Sequence, residues 1–118
     1  MRVIVCGGRD YNDAATMFRA LTEHGVTWLA EGGANGADWL ARHWALSQSP
    51  RVPVTTYPAD WEQHGKAAGP IRNQFMLENA KPDAVIAFPG GKGTADMVRR
   101  AKAAGVCVIE VEEARDDG

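Results

Sequence analysis

The sequence predicts an α/β protein: a parallel sheet of about five strands with helices on both of its faces. Three observations lead there. Short apolar runs ("RVIVC", "VTWLA", "VPVTTY", "DAVIAF", "VCVIEV") alternate with stretches of helical spacing along all 118 residues. No hairpin signal joins two of the runs, so each strand reaches the next through a crossover. The runs are also short and largely continuous, as in strands buried on both sides. Together these features define a Rossmann-like, doubly wound three-layer sandwich.

The elements follow in order. "RVIVC" (residues 2–6) is a strand that stops at Gly7-Gly8. In "DYNDAATMFRALTEHG", Met17, Leu21 and His24 share a helical face, Asn12 or Asp13 caps the start and Gly25 closes the end. After "VTWLA", a second helix runs from about Gly36 to Ser47, with Ala37, Leu40, Ala41 and Trp44 facing inward. Pro53 places the third strand at an edge or at a strand start. The next stretch, "PADWEQHGKAAG", is long for a β-to-α connection, where about 2 to 6 residues is usual. "PIRNQFMLENA" reads as a helix with Ile71 and Phe75 on its apolar side. "GTADMVRRAKAAG" reads as another, with Met97, Ala101 and Ala104 on one side. Residues 1–112 form a single domain, and 113–118 are an acidic tail expected to fray.

The net charge is −2, which counts against a sequence-independent nucleic-acid binder. Cys6 and Cys107 each sit in a β-branched run and are read as small buried hydrophobes in a reducing compartment. They can pair only if their strands lie close together. Neither they nor His64 has partners at metal spacing, so no metal and no cofactor is expected. The N-terminus lacks a signal-peptide pattern, and no apolar run nears the roughly 20 residues that span a bilayer. A cytoplasmic protein that contacts no membrane is expected.

In doubly wound sheets ligands bind beyond the carboxyl ends of the strands. Three of the four connections leaving that edge carry paired glycines: "GGRDYND", "EGGANGAD" and "PGGKGTAD". A phosphate meets successive backbone amides only where no Cβ blocks it, and the first turn of a helix offers unpaired N–H groups with a partial positive charge. "PGGKGT" supplies both. It is not a P-loop, because Gly93 separates Lys92 from Thr94, and no dinucleotide fingerprint follows the first strand. The expected ligand contacts are therefore Pro89, Gly90, Gly91, Gly93 and Thr94 on the phosphate, with Lys92 secondary. Gly32, Gly33, Gly36 and Asp38 form a neighbouring wall, and Gly7, Gly8 and Arg9 a floor. Trp61 and Lys66 sit on a lid, and Arg72 and Asn73 begin a helix. A cation such as Arg72 at a helix start suggests a bound anion or a carboxylate partner, Asp10 or Asp38. Trp28 and Trp44 are expected in the core, and Trp39 partly exposed.

With "VCGGRDY", "EGGANGADWLA", "PADWEQHGKAAGPIRNQFML" and "AFPGGKGTADM" in place, nearly the whole chain resembles the SLOG superfamily, and within it the small single-domain YspA-like branch. That superfamily includes the LOG phosphoribohydrolases and the Smf/DprA DNA-processing proteins. The resemblance implies binding of a nucleoside monophosphate or an ADP-ribose-like molecule, as sensor or carrier, and a homodimer. "PGGKGT" is similar to the LOG signature PGGxGTxxE, which implies the alternative of a nucleotide hydrolase acting on an N-glycosidic or phosphate bond. Arg72 matches the LOG arginine, but Met97 stands where the catalytic glutamate belongs. Asp96, one residue earlier, points about 100° away on a helix. Arg72 and Asp96 are thus the catalytic candidates of that alternative. "GGANGAD" with "PIRN" looks like Smf/DprA, which makes single-stranded DNA binding a third reading.

Overall fold

The computed structural model describes residues 1–113, so residues 114–118 of the expected tail lie outside the described residues. Five strands, β1 (Arg2–Cys6), β2 (Trp28–Glu31), β3 (Val54–Thr56), β4 (Ala84–Ala87) and β5 (Cys107–Glu110), form one sheet in the order β3-β2-β1-β4-β5. All of its pairings are parallel. The crossovers carry α1 (Ala14–Glu23), α2 (Ala37–Ser47), α3 (Trp61–His64), α4 (Ala68–Ala80) and α5 (Lys92–Ala103). A 3₁₀ turn at Gly65–Ala67 links α3 to α4, so the long third connection is itself ordered.

Successive strand residues point to opposite faces, and each face has its own core. Met17 and Leu21 of α1 and Ala41 and Trp44 of α2 pack on Val3, Val5, Leu29 and Ile86. Met76 and Leu77 of α4 and Met97 and Ala101 of α5 pack on Ile4, Ala30 and Val85. Each large side chain fully buried here contributes about 1.5–3 kcal/mol. Asp13 caps α1 by accepting hydrogen bonds from Thr16 N (3.1 Å) and Thr16 Oγ1 (2.6 Å). The chain winds from β1 outward to β3, then returns to β4 on the other side of β1. The order therefore reverses between β1 and β4, and a crevice opens at their carboxyl ends.

Three details differ from the sequence reading. Helix α4 starts at Ala68 and buries Ala68, Gly69, Asn73, Met76, Leu77 and Ala80, while Ile71 and Phe75 are exposed. Its inward stripe opens on two small residues and the polar Asn73, so the apolar Ile71 and Phe75 mark the wrong face. His24 and Ala104 cap their helices and lie exposed instead of continuing the apolar stripes. Cys107 is exposed because it opens the edge strand β5; Cys6 is buried, and β4 separates the two free thiols.

Three loops meet backbone to backbone at the crevice. Gly8 N donates to Pro89 O (2.9 Å), and Gly8 O accepts from Tyr11 N (3.2 Å) and Ala37 N (3.1 Å). A Cβ on Gly8 would lie 3.1 Å from Pro89 O. Gly36 has φ +72° and a Cβ there would run into the carbonyl oxygens of Gly8 and Arg9. Gly91 is different: its φ is −103° and nothing lies within 4 Å of a Cβ built on it. Gly36→Ala is expected to cost on the order of 3 kcal/mol, from strained backbone plus overlap. Gly91→Ala should stay within about 0.5 kcal/mol of the parent. Urea unfolding of the two variants checks both values.

Candidate functional site

Beyond the carboxyl ends of β1, β2 and β4 lies a cavity of about 340 Å³. Of the residues selected from sequence, it gathers Gly7, Gly8, Arg9, Gly32, Asp38, Trp61, Arg72, Asn73, Gly91, Gly93 and Thr94. Lys92 lines it as well. Gly33 lies in an adjoining hollow, and Gly36 packs under the first loop. Pro89 and Gly90 line a second cavity of about 610 Å³, with Asp10 and Asn12. Lys66 is exposed and lines neither cavity. The sequence reading missed Val5, Cys6, Ala34, Gly69 and Met76. Cys6 was within reach of it, since it is the last residue of β1 and so stands on the carboxyl edge.

One wall is the start of α5. Gly91 is its N-cap residue and provides no side-chain cap, so the first-turn amides of Lys92, Gly93 and Thr94 have no intrahelical acceptor. A helix of this kind places roughly half a positive charge at its N-terminus. Built Cβ atoms at Gly91 and Gly93 meet nothing within 4 Å, so this wall is sterically open.

The second wall is basic and aromatic. Arg72 Nη1 donates to Gly32 O (2.7 Å) and Tyr57 O (3.1 Å), and Nε donates to Asn73 Oδ1 (3.0 Å). It forms no ion pair among the described residues, neither with Asp10 nor with Asp38. Burial lowers its pKa, and Asp38 and Glu31 oppose that shift. Asn73, in turn, donates from Nδ2 to Asp96 Oδ2 (3.0 Å) and Gly93 O (3.2 Å). Asn73 thus ties Arg72 to the first turn of α5. The guanidinium of Arg9 lies 5.7 Å from the centre of the Trp61 ring, within cation–π range. Trp61 is half exposed.

The third wall carries the carboxylate of Asp38, and Glu31 lies behind it without lining the cavity. Glu31 is 1% exposed and accepts from Gly33 N (2.7 Å) and Thr56 Oγ1 (2.6 Å). Asp38 is 7% exposed, and its Oδ2 accepts from Gly32 N and Ala34 N, both at 3.2 Å. The amides of Gly32 and Gly33 are thereby taken by the chain's own carboxylates. This glycine pair shapes a turn and presents no amides to an anion. Oδ1 of Asp38 has no hydrogen-bond partner among the described residues.

The other carboxylates near the site are engaged or remote. Asp96 accepts from Arg99 Nη2 (3.1 Å) and Arg100 Nε (2.8 Å) besides Asn73, and it does not line the cavity. Burial alone would raise its pKa, but the bonds from Asn73 and Arg100 hold it below the ordinary value. Met97 is 1% exposed in the core between α4 and α5, so the position of the LOG glutamate faces inward here.

The fold and this crevice define a Rossmann-like α/β protein whose candidate site lies at the topological switch point. Within that class the chain belongs to the YspA, cpYpsA-related SLOG family (YAcAr), whose family model matches residues 1–64. The chain is also similar to the "Gene 61 protein" of Mycobacterium phage D29, with 38% identity over 119 residues, covering 92% of this chain and 94% of that protein. Among the described residues, no group of three or more His, Cys, Asp and Glu is placed to hold a metal ion. No helix among them is long and apolar enough to cross a membrane.

Burial pushes the pKa of Asp38 up to about 6; the bond from Ala34 opposes the shift, and Glu31 adds to it. A carboxyl group with a raised pKa binds its proton more tightly in the folded state than in the unfolded state. Its contribution therefore favours folding at low pH and turns unfavourable as pH rises through about 4 to 6. At pH 7.5 the buried charge costs up to about 3 kcal/mol. Asn at this position can still accept the Gly32 and Ala34 amides without the charge. Asp38→Asn should therefore raise stability at pH 7.5 by about 1–2 kcal/mol and by little at pH 4.5. Urea unfolding of both proteins at the two pH values measures this.

Proposed function

We propose that this protein binds a small phosphorylated nucleotide or nucleotide derivative, of the nucleoside monophosphate or ADP-ribose-like kind, and serves as a sensor or carrier. The phosphate rests on the first turn of α5. The observation that carries this reading is the open start of α5, facing a cavity that also holds Arg9, Arg72 and Lys92. Uncapped amides, a helix dipole and guanidinium groups suit a phosphate. Membership of a SLOG family supports a nucleotide-related ligand. Binding is favoured over hydrolysis because Met97 replaces the LOG glutamate and is buried, while Asp96 is engaged by Asn73, Arg99 and Arg100.

A ligand at 100 times its dissociation constant adds about 2.7 kcal/mol of stability. For a chain of this size the melting point should rise by on the order of ten degrees. A thermal-shift panel of nucleoside mono- and diphosphates and ADP-ribose tests this, and no shift at millimolar concentration contradicts it. The same reading sets the order of two variants. Gly91→Val puts a branched side chain in the anion's place, where a built Cβ meets nothing within 4 Å, and should abolish binding while the fold persists. Lys92→Ala removes one exposed, mobile charge and should weaken binding by about 1 kcal/mol. Titration calorimetry on protein shown to be folded by circular dichroism ranks the two.

A further inference from the structure

The cavity has two chemically different ends. On the β4 side are the amides of α5, which attract an anion. On the β2 side are the Arg72 guanidinium, bonded to Gly32 O, and Asp38, a buried carboxylate with Oδ2 bound to the Gly32 and Ala34 amides and Oδ1 without a hydrogen-bond partner among the described residues. β1 lies between β2 and β4. At about 4.8 Å per strand the two ends are roughly 10 Å apart, a distance that a ribose phosphate spans.

Dinucleotide-binding sheets place the acid that reads the ribose at the end of the second strand. Glu31 occupies that place, but both of its oxygens are taken, by Gly33 N and Thr56 Oγ1. Asp38 is the carboxylate of the cavity with an oxygen to spare. Its Oδ1 keeps accessible surface in the cavity, where a donor on a ligand can reach it; the buried side-chain polar atom left without a partner among the described residues is Tyr11 Oη. Arg72, in the same cavity, disfavours a cationic donor and leaves a neutral hydroxyl.

We propose that Asp38 is the sugar-reading residue of the site: its Oδ1 accepts a hydrogen bond from a ribose hydroxyl of a ligand whose phosphate lies on α5. This rests on the phosphate reading above and adds the class of sugar. The titratable and charged groups facing Asp38 are Glu31 at the end of β2, Cys6 at the end of β1 and Arg72 on α4. The thiol of Cys6 is pushed up to about 12 by burial and by Asp38, so it stays neutral. The preference for hydroxyls therefore follows the ionisation of Asp38, falling as pH drops through about 6.

Titration calorimetry with three probes tests the proposal: inorganic phosphate, ribose 5-phosphate, and tetrahydrofurfuryl phosphate, which has the ring without its ribose hydroxyls. At pH 7.5 the parent protein should bind ribose 5-phosphate about tenfold or more tightly than tetrahydrofurfuryl phosphate, the effect of one hydrogen bond to a charged acceptor. Asp38→Asn should bind inorganic phosphate at least as tightly as the parent does, because a negative charge has left the cavity, and should lose the tenfold preference. At pH 5 the parent should lose most of that preference too; the ratio of the two esters cancels the titration of phosphate itself. The parent measurements stand even if the variant misfolds. Phosphate binding without a preference for ribose 5-phosphate, or a preference that survives Asp38→Asn, overturns the role of Asp38 and leaves the phosphate reading intact. Failure of the parent to bind any of the three overturns both.

Discussion

The site depends on one backbone contact, the docking of the Gly8 peptide against its neighbours. Its N–H reaches the β4 exit at Pro89, and its carbonyl receives the first amide of α2. Three connections that are far apart in sequence are thereby held within hydrogen-bond distance of one point, at the place where strand order reverses. Contact this close excludes side chains from the seam, and so glycine recurs there. Gly8 and Gly36 serve the seam, whereas Gly91 and Gly93 stand open to the cavity. Rigidity and access are thus assigned to different glycines, which lets one region be both firmly packed and approachable by a ligand.

A second constraint is electrostatic. The β2–α2 turn is stitched by Glu31 and Asp38, and Arg72 holds its carbonyl side at Gly32. Asp96, anchored by Arg99 and Arg100, positions Asn73, which positions both Arg72 and the first turn of α5. The cavity therefore has an amide-lined end at α5 and, at β2, a guanidinium beside a carboxylate, from groups that also hold its walls. Leaving Asp38 buried and charged at neutral pH costs stability, a familiar sign of a residue kept for something other than folding.

Much of the fold was legible because parallel sheets write their strands as short apolar runs separated by helical ones. The carboxyl-edge rule then placed most of the candidate residues in one crevice. Three things were not legible, each for a physical reason. The inward face of α4 includes Asn73, whose burial depends on Asp96 and Gly93 across the interface, and no periodicity within α4 reveals those partners. Paired glycines look alike in sequence whether they admit a ligand or a neighbouring backbone. Spacing also cannot show that Gly32 and Gly33 give their amides to Asp38 and Glu31, since the turn that brings them together is a matter of backbone geometry.

The central claim is that a phosphate sits on the backbone at the start of α5. Amide proton and nitrogen chemical shifts, followed residue by residue during titration with a nucleoside monophosphate, test it most directly. The account predicts the largest changes at Lys92, Gly93 and Thr94, with smaller ones at Gly8 and Arg9, and little change at Gly32 and Gly33, whose amides are already bonded to carboxylates. Saturable changes centred elsewhere, with the amides of α5 unmoved, would contradict it.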